Sequence, residues 1–234
     1  MRSGTSDPDV YARFVERSGG PALELGCGDG HPMLDLVRRG LDVDGVDASA
    51  DMVDRCRANA AAEALDVTVY HQRFQDLDLP RRYRSIYVAD ASFTLLPTDD
   101  DAIAALDRIR AHLADDGTAM IPLMVPEATP THDLGRSKEA IDPTGAVIRV
   151  TPVSEERDEH ARTQVTVLRY ERIGPAGHES EDRPWVRHWY GQDDFRALVD
   201  RTGLRTIAVF DPAGGPARPD ATAFVVLLGR GDPN

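Results

Sequence analysis

Apolar positions over the first half of the chain alternate between short continuous runs and helical spacing. Val10, Phe14 and Val15 share one face of a predicted helix over Asp9 to Ser18, stopped by Gly19-Gly20. Ala22-Leu23-Glu24-Leu25 is a buried-strand run. Met33, Leu34, Leu36 and Val37 resume helical spacing as far as Gly40, and Leu41 to Asp47 reads as a second strand. Asp66 to Gln72, rich in β-branched residues, is a third strand, and Tyr83 to Ala89 a fourth. Thr98 with Asp99-Asp100-Asp101 caps a helix whose apolar face is Ile103, Leu106, Ile109 and Leu113. Asp115-Asp116-Gly117 then turns into a fifth strand, Thr118 to Leu123.

Beyond Val125 the alternation breaks. Pro126, Pro130 and Pro143 bracket a loop containing His132 and Lys138. Three stretches of β alternation follow, Ala146–Val153, Arg162–Ile173 and Trp185–Tyr190, and predict an antiparallel three-stranded flap. The run Glu155-Glu156-Arg157-Asp158-Glu159 reads as a solvated hairpin end, and Gly174-Pro175-Ala176-Gly177 as a connection. A helix over Gln192 to Thr202 is followed by strands Leu204–Phe210 and Thr222–Leu228. Their link is too short for a crossover helix, so they pair antiparallel. The fold class is therefore α/β: a Rossmann-like, seven-stranded, mostly parallel sheet with a terminal antiparallel hairpin, plus an inserted antiparallel flap after strand 5.

The candidate chemistry lies in Glu24-Leu25-Gly26-Cys27-Gly28-Asp29-Gly30-His31-Pro32, which follows the first strand. Glycines at alternate positions strip Cβ atoms from a turn, so that a ligand can lie against bare backbone. Pro32 suits the first helical position, and unpaired amides at that helix start favour an electron-rich or carboxylate-bearing ligand. The dinucleotide fingerprint G-x-G-x-x-G/A does not fit, because His31 occupies its third small position, and no phosphate loop exists. Glu24, Gly26, Gly28 and Gly30 instead resemble motif I, E/D-x-G-x-G-x-G, of class I S-adenosylmethionine-dependent methyltransferases. Asp47-Ala48-Ser49-Ala50-Asp51-Met52 resembles that family's D-x-S-x-x-M segment. Asp47 is placed there to accept both ribose hydroxyls, or else to cap the next helix, and Met52 to line the adenine or to pack in the core. Arg73-Phe74-Gln75-Asp76-Leu77 resembles the adenine-reading D-x-x-D-L. Arg73 stands where the accepting acid belongs and cannot accept a hydrogen bond. Gln75 or Gln72 then takes the amino group, or stacking and the Phe74 amide hold the ring.

The resemblance implies S-adenosylmethionine as cofactor, with S-adenosylhomocysteine as product. Its site is Glu24, Gly26, Cys27, Gly28, Gly30, Asp47, Ala48, Met52, Phe74, Gln75, Ala89 and Asp90. Tyr11 covers the methionine end or simply packs, and Asp90 orients the acceptor or the cofactor's amino group. It also implies methyl transfer to a small-molecule acceptor by in-line displacement, with no metal. Residues 1–124 form the cofactor-binding core, residues 125–190 a flap roofing the acceptor, and residues 191–234 the rest of the core, within one compact domain. His188 and His132 are the candidate bases for a neutral hydroxyl or an ammonium acceptor, ahead of His71 and His31. Asp115-Asp116-Gly117 replaces the family's usual P-G-G.

Composition narrows the partners. A formal net charge of −13 repels phosphate backbones and anionic membranes, and Ala89-Asp90-Ala91-Ser92 lacks the N/D-P-P-Y/F segment of enzymes that methylate nucleic-acid bases, so neither nucleic acid nor membrane is expected. Lys138 is the sole lysine among 27 basic residues, in keeping with a GC-rich genome. Cys27 and Cys56 form no disulfide framework, and no signal or membrane span is apparent, which predicts a cytoplasmic protein. The alternatives are a protein that binds S-adenosylmethionine without methyl transfer and a nicotinamide-dependent oxidoreductase. The glycine spacing and the terminal hairpin oppose the second.

Overall fold

The computed structural model describes residues 7–142, 144–175 and 177–231. Met1 to Ser6, Pro143 and Ala176, which entered the expectations for the leader, the loop and the connection, lie outside them. In chain order the first elements are α1 (Pro8–Ser18), β1 (Ala22–Leu25), α2 (Met33–Arg38), β2 (Val43–Asp47), α3 (Ala50–Ala62), β3 (Val69–His71) and β4 (Tyr83–Val88). Next come α4 (Asp99–His112), β5 (Leu113–Met124), β6 (Lys138–Ile141), β7 (Val147–Asp158), β8 (Thr163–Gly174) and β9 (Gly177–His188). The chain ends with α5 (Gln192–Val199), β10 (Leu204–Phe210) and β11 (Ala223–Arg230). These elements divide into two compact units, residues 125–189 and the remainder.

The larger unit is a seven-stranded sheet in the order β10-β11-β5-β4-β1-β2-β3. β1 lies parallel to β2 and β4, β2 to β3, and β4 to β5, while β11 runs antiparallel to both β5 and β10. The expected α/β sheet and its terminal hairpin are both present. β1 is buried on both faces, as the central strand of a parallel sheet must be. Leu23 and Leu25 pack with Ile86, Phe93 and Leu106 on one face; Ala22 packs with Tyr87, Phe14 and Met33 on the other.

Several boundaries differ from the sequence pattern. β3 is confined to Val69–His71, although the Thr68 carbonyl already accepts from the Gly45 amide at 2.9 Å. The Asp115-Asp116-Gly117 turn is absorbed into β5 as a bulge, where pairing jumps from Tyr83↔Leu113 to Ser85↔Thr118. Leu113 therefore opens the strand instead of closing the face of α4. α5 ends at Val199, short of Thr202, and β11 continues to Arg230.

The smaller unit is a four-stranded antiparallel sheet, β6-β7-β8-β9, where three strands were expected. Lys138 opens β6 instead of lying in a loop, and the Glu155–Glu159 charge run ends β7 at the β7–β8 hairpin, as expected. β9 is polar over 177–183 and shows no apolar alternation there. Cross-strand ion pairs hold these strands in its place: Arg169 to Asp182 at 2.7 Å, Arg149 to Glu139 at 2.8 Å and His178 to Glu171 at 2.9 Å. No helix among the described residues is long and apolar enough to cross a membrane.

Leu228 is fully buried on β11, the strand that joins β5 to β10. Leu228→Ala is expected to cost roughly 2–5 kcal/mol of stability, with a matching fall in Tm. Arg169→Ala, which removes one exposed ion pair of the smaller sheet, leaves the Tm nearly unchanged in the same thermal unfolding measurement.

Candidate active site

A cavity of about 230 Å³ opens at the carboxyl ends of β1 and β2 and beside the segment following β4. Open α/β sheets hold ligands at this edge. Gly26, Asp47, Ala48, Phe74 and Gln75 line it together with Arg73, Ser92, Leu95, Leu96 and Pro97. Asp47 closes β2 and fixes the loops on either side of itself. Its Oδ2 accepts from the Gly28 amide at 2.8 Å, and its Oδ1 from the Ser49 amide at 2.8 Å. Ser49, not Asp47, caps α3, accepting from the Met52 amide. Each carboxylate oxygen keeps a further lone pair for a ligand donor.

All three turn glycines have positive φ, but for different reasons. A Cβ on Gly26 would press on Phe74 and Ser92 at 3.3 Å, within the cavity wall. One on Gly28 would meet nothing within 4 Å, and one on Gly30 would strike Leu34 Cδ1 at 2.6 Å. Gly28 thus leaves open space, whereas Gly30 serves packing. The expected anion-binding helix start is corrected here. Pro32 is the N-cap of α2, not its first residue, and α2 has only six residues. The amides of Leu34 and Asp35 already donate to Gly30 and Pro32, and those of Gly26 and Cys27 share the Val46 carbonyl.

The remaining candidates are dispersed. The Cys27 side chain is buried beneath the turn, next to Cys56, and Met52 lies partly exposed at the start of α3. The Tyr11 hydroxyl accepts from the Asp90 amide at 3.0 Å and so braces Asp90, a non-glycine residue at φ 53°, just after the buried Ala89. In the smaller unit His188 is 4% exposed at the end of β9, paired with Thr163, while the His132 side chain is 75% exposed beside Asp133. Leu95 to Pro97 were not singled out from the sequence; a short 3-10 turn over Ser92–Leu95 carries that segment to the cavity.

The two glutamines in the third-strand loop are sorted by their partners. Gln72 is tied to the backbone of Asp78, accepting from its amide at 2.9 Å. Gln75 faces the cavity and donates its amide N–H to Asp101 Oδ1 at 3.0 Å. A carboxylate accepts only from the NH2 end, so the Gln75 carbonyl oxygen is left available.

Comparison with known proteins bears on the fold. Residues 22–117 match the family model described as "Methyltransferase domain". Over 147 residues the chain is 30% identical to dTDP-3-amino-3,6-dideoxy-alpha-D-glucopyranose N,N-dimethyltransferase of Streptomyces fradiae, covering 62% of this chain and 54% of that protein. The chain spans about half the length of the curated relatives it matches. Among solved structures, the CcbJ methyltransferase from Streptomyces caelestis superposes with a TM-score of 0.76 at 21% identity, over 97% of this chain and 91% of that one. The sugar N-methyltransferase KedS8 from Streptoalloteichus sp ATCC 53650 gives 0.72 at 18% identity, over 97% and 87%. The fold is thus that of methyltransferases.

Beneath the glycine turn, Glu24 is fully buried and stands in register with Tyr87 of β4. The Tyr87 hydroxyl donates to Glu24 Oε2 at 2.6 Å, while Oε1 has no partner among the described residues. Burial pushes the Glu24 carboxyl from the usual range near 4.5 up to about 8, against the opposing hydrogen bond from Tyr87. Between those two values the folded chain retains a proton that the unfolded chain has released, so stability falls as pH rises through that window. Glu24→Gln, which removes the titration, is expected to flatten this decline, a difference of up to roughly 5 kcal/mol by pH 8. Denaturant unfolding of both proteins at pH 5 and pH 8 checks it.

Proposed function

We propose that the chain is an S-adenosylmethionine-dependent methyltransferase acting on a small-molecule acceptor. The observation that carries this is the cavity with Asp47 and Gly26 in its wall, where a Cβ on Gly26 would press on Phe74 and Ser92. The residues fit a nucleoside. Asp47, held by the Gly28 and Ser49 amides, presents free lone pairs for a ribose diol. Gln75, its amide nitrogen committed to Asp101, presents a carbonyl oxygen for the adenine amino group that Arg73 cannot accept. Phe74 supplies a ring edge, and Gly28 leaves room for the sulfur-bearing chain. Asp90, braced by Tyr11, lies at the end of β4, where the methionine amino group is placed in this reading.

When bound, the cofactor supplies a methyl group on a sulfonium. The protein's task is alignment, which contributes roughly 7–11 kcal/mol of barrier reduction without metal or covalent intermediate. The name of the Streptomyces fradiae relative favours an amine acceptor of sugar type. An ammonium must lose its proton before it attacks, and His188, buried at the end of β9, is the proposed base in preference to the exposed His132. Residues 125–189 then constitute the acceptor-binding insert, and the protein acts in the cytoplasm.

Calorimetric titration is expected to show micromolar binding of S-adenosylhomocysteine and none of NADH. Asp47→Ala abolishes that binding with the fold intact by circular dichroism, and Gln75→Ala weakens it roughly tenfold. Unchanged affinity in Asp47→Ala overturns the ribose assignment. Labelled methyl transfer to a panel of amino sugars then separates an enzyme from a mere binder.

A further inference from the structure

The smaller sheet carries an arginine without a carboxylate. Pairing places Arg157, Gln164 and Arg187 opposite one another across β7, β8 and β9, with Glu155, Thr166 and Trp185 opposite one another in the next row on the same face. Most of these groups are spoken for. Arg157 lies over the Trp189 ring at 4.1 Å and donates to Glu159 and to the Pro126 carbonyl. Glu155 accepts from the Thr129 amide at 2.8 Å, from the Thr129 hydroxyl and from the Thr166 hydroxyl at 3.0 Å.

Arg187 differs. Its guanidinium lies over the Trp185 ring at 4.8 Å, and its Nε is shielded from solvent with no acceptor among the described residues. A shielded guanidinium nitrogen without an acceptor is costly, although the nearby Glu155 carboxylate favours the charge more than Arg157 opposes it. In a chain of net charge −13, carboxylates for pairing are plentiful, yet none is hydrogen-bonded to this side chain. Stacking on an indole leaves the edge of the guanidinium plane free, the geometry that takes two oxygens of one anion at once.

We propose that Arg187, in the row with Gln164 and Arg157, is a binding site for an oxyanion, the carboxylate or phosphate group of a small molecule. Gln164 is committed to the Glu127 carbonyl at 3.3 Å and only spaces the two arginines, while the Trp185 ring holds the guanidinium plane in place. The anion supplies hydrogen-bond acceptors to a guanidinium that has none among the described residues. The rest of the surface, being strongly negative, repels anions, so saturable binding requires a local site of this kind. Only the further step, that the anion belongs to the methyl acceptor, rests on the function proposed above.

The test is calorimetric titration of the full chain with pyrophosphate and, separately, citrate, with S-adenosylhomocysteine present to fill the glycine-turn cavity. At least one anion is expected to bind saturably, and which one does so separates the phosphate source from the carboxylate source. Arg187→Gln weakens that binding roughly 10- to 100-fold. Arg187→Lys, which keeps the charge and loses the fork, shows a smaller loss and decides the matter should the Gln variant not fold. Equal anion affinity in the wild type and the folded variants, or no saturable binding of either anion by the wild type, overturns the site. Failure of S-adenosylhomocysteine to bind counts against the cofactor reading alone, since the difference between wild type and variant still reads Arg187.

Discussion

One carboxylate sets the shape of the cavity edge. Asp47 closes β2 and reaches back to the turn after β1, taking the Gly28 amide on one oxygen and the Ser49 amide on the other. The three glycines permit the turn, but positive φ by itself admits many paths, and the Asp47–Gly28 hydrogen bond selects one. The same contact fixes where α3 begins, since Ser49 is held one residue short of the helix it caps. An acid at this position is therefore structural before any ligand arrives, and its remaining lone pairs are presented in a fixed direction. That is the preorganisation a binding site requires.

Behind this edge the sheet contains buried acids that a purely apolar strand pattern would not include. Glu24 pairs with Tyr87, and Asp44 accepts from the Tyr83 hydroxyl at 2.8 Å and from Arg81. Asp44 is fully supplied with donors, whereas Glu24 keeps one oxygen without a partner directly below the glycine turn. Burying polar groups costs stability unless they are hydrogen-bonded, so the two acids stand in different energetic positions. A neutral, protonated Glu24 is how the free protein lowers that cost at neutral pH.

The smaller unit follows other rules. Its outer strands expose polar residues on both faces, so the period-two signal that marks a half-buried strand is absent from β6 and from most of β9. Backbone ladders and cross-strand ion pairs carry these strands, and neither leaves a pattern in single-residue hydrophobicity. Where the sheet does bury polar groups, it does so in rows across β7, β8 and β9, each residue contributed by a different strand. Arg187 was visible in the sequence only as the neighbour of a candidate histidine; the register made it the centre of a charged cluster.

The sequence by itself determined the α/β alternation, the parallel core and the terminal antiparallel hairpin, because short apolar runs, helical spacing and connection lengths are local properties. It also singled out Gly26, Asp47, Ala48, Phe74 and Gln75, which the structure brings to one cavity. Tertiary structure alone decided what those residues do to each other. It distinguished the open Gly28 from the packed Gly30, committed Gln72 to Asp78 while leaving Gln75 its carbonyl, and brought Leu95 to Pro97 into the wall. It also consumed the helix-start amides that the glycine turn had seemed to offer. The physical reason is common to all of these: a hydrogen bond or a steric contact between distant residues depends on register and loop path, which periodicity along the chain does not encode.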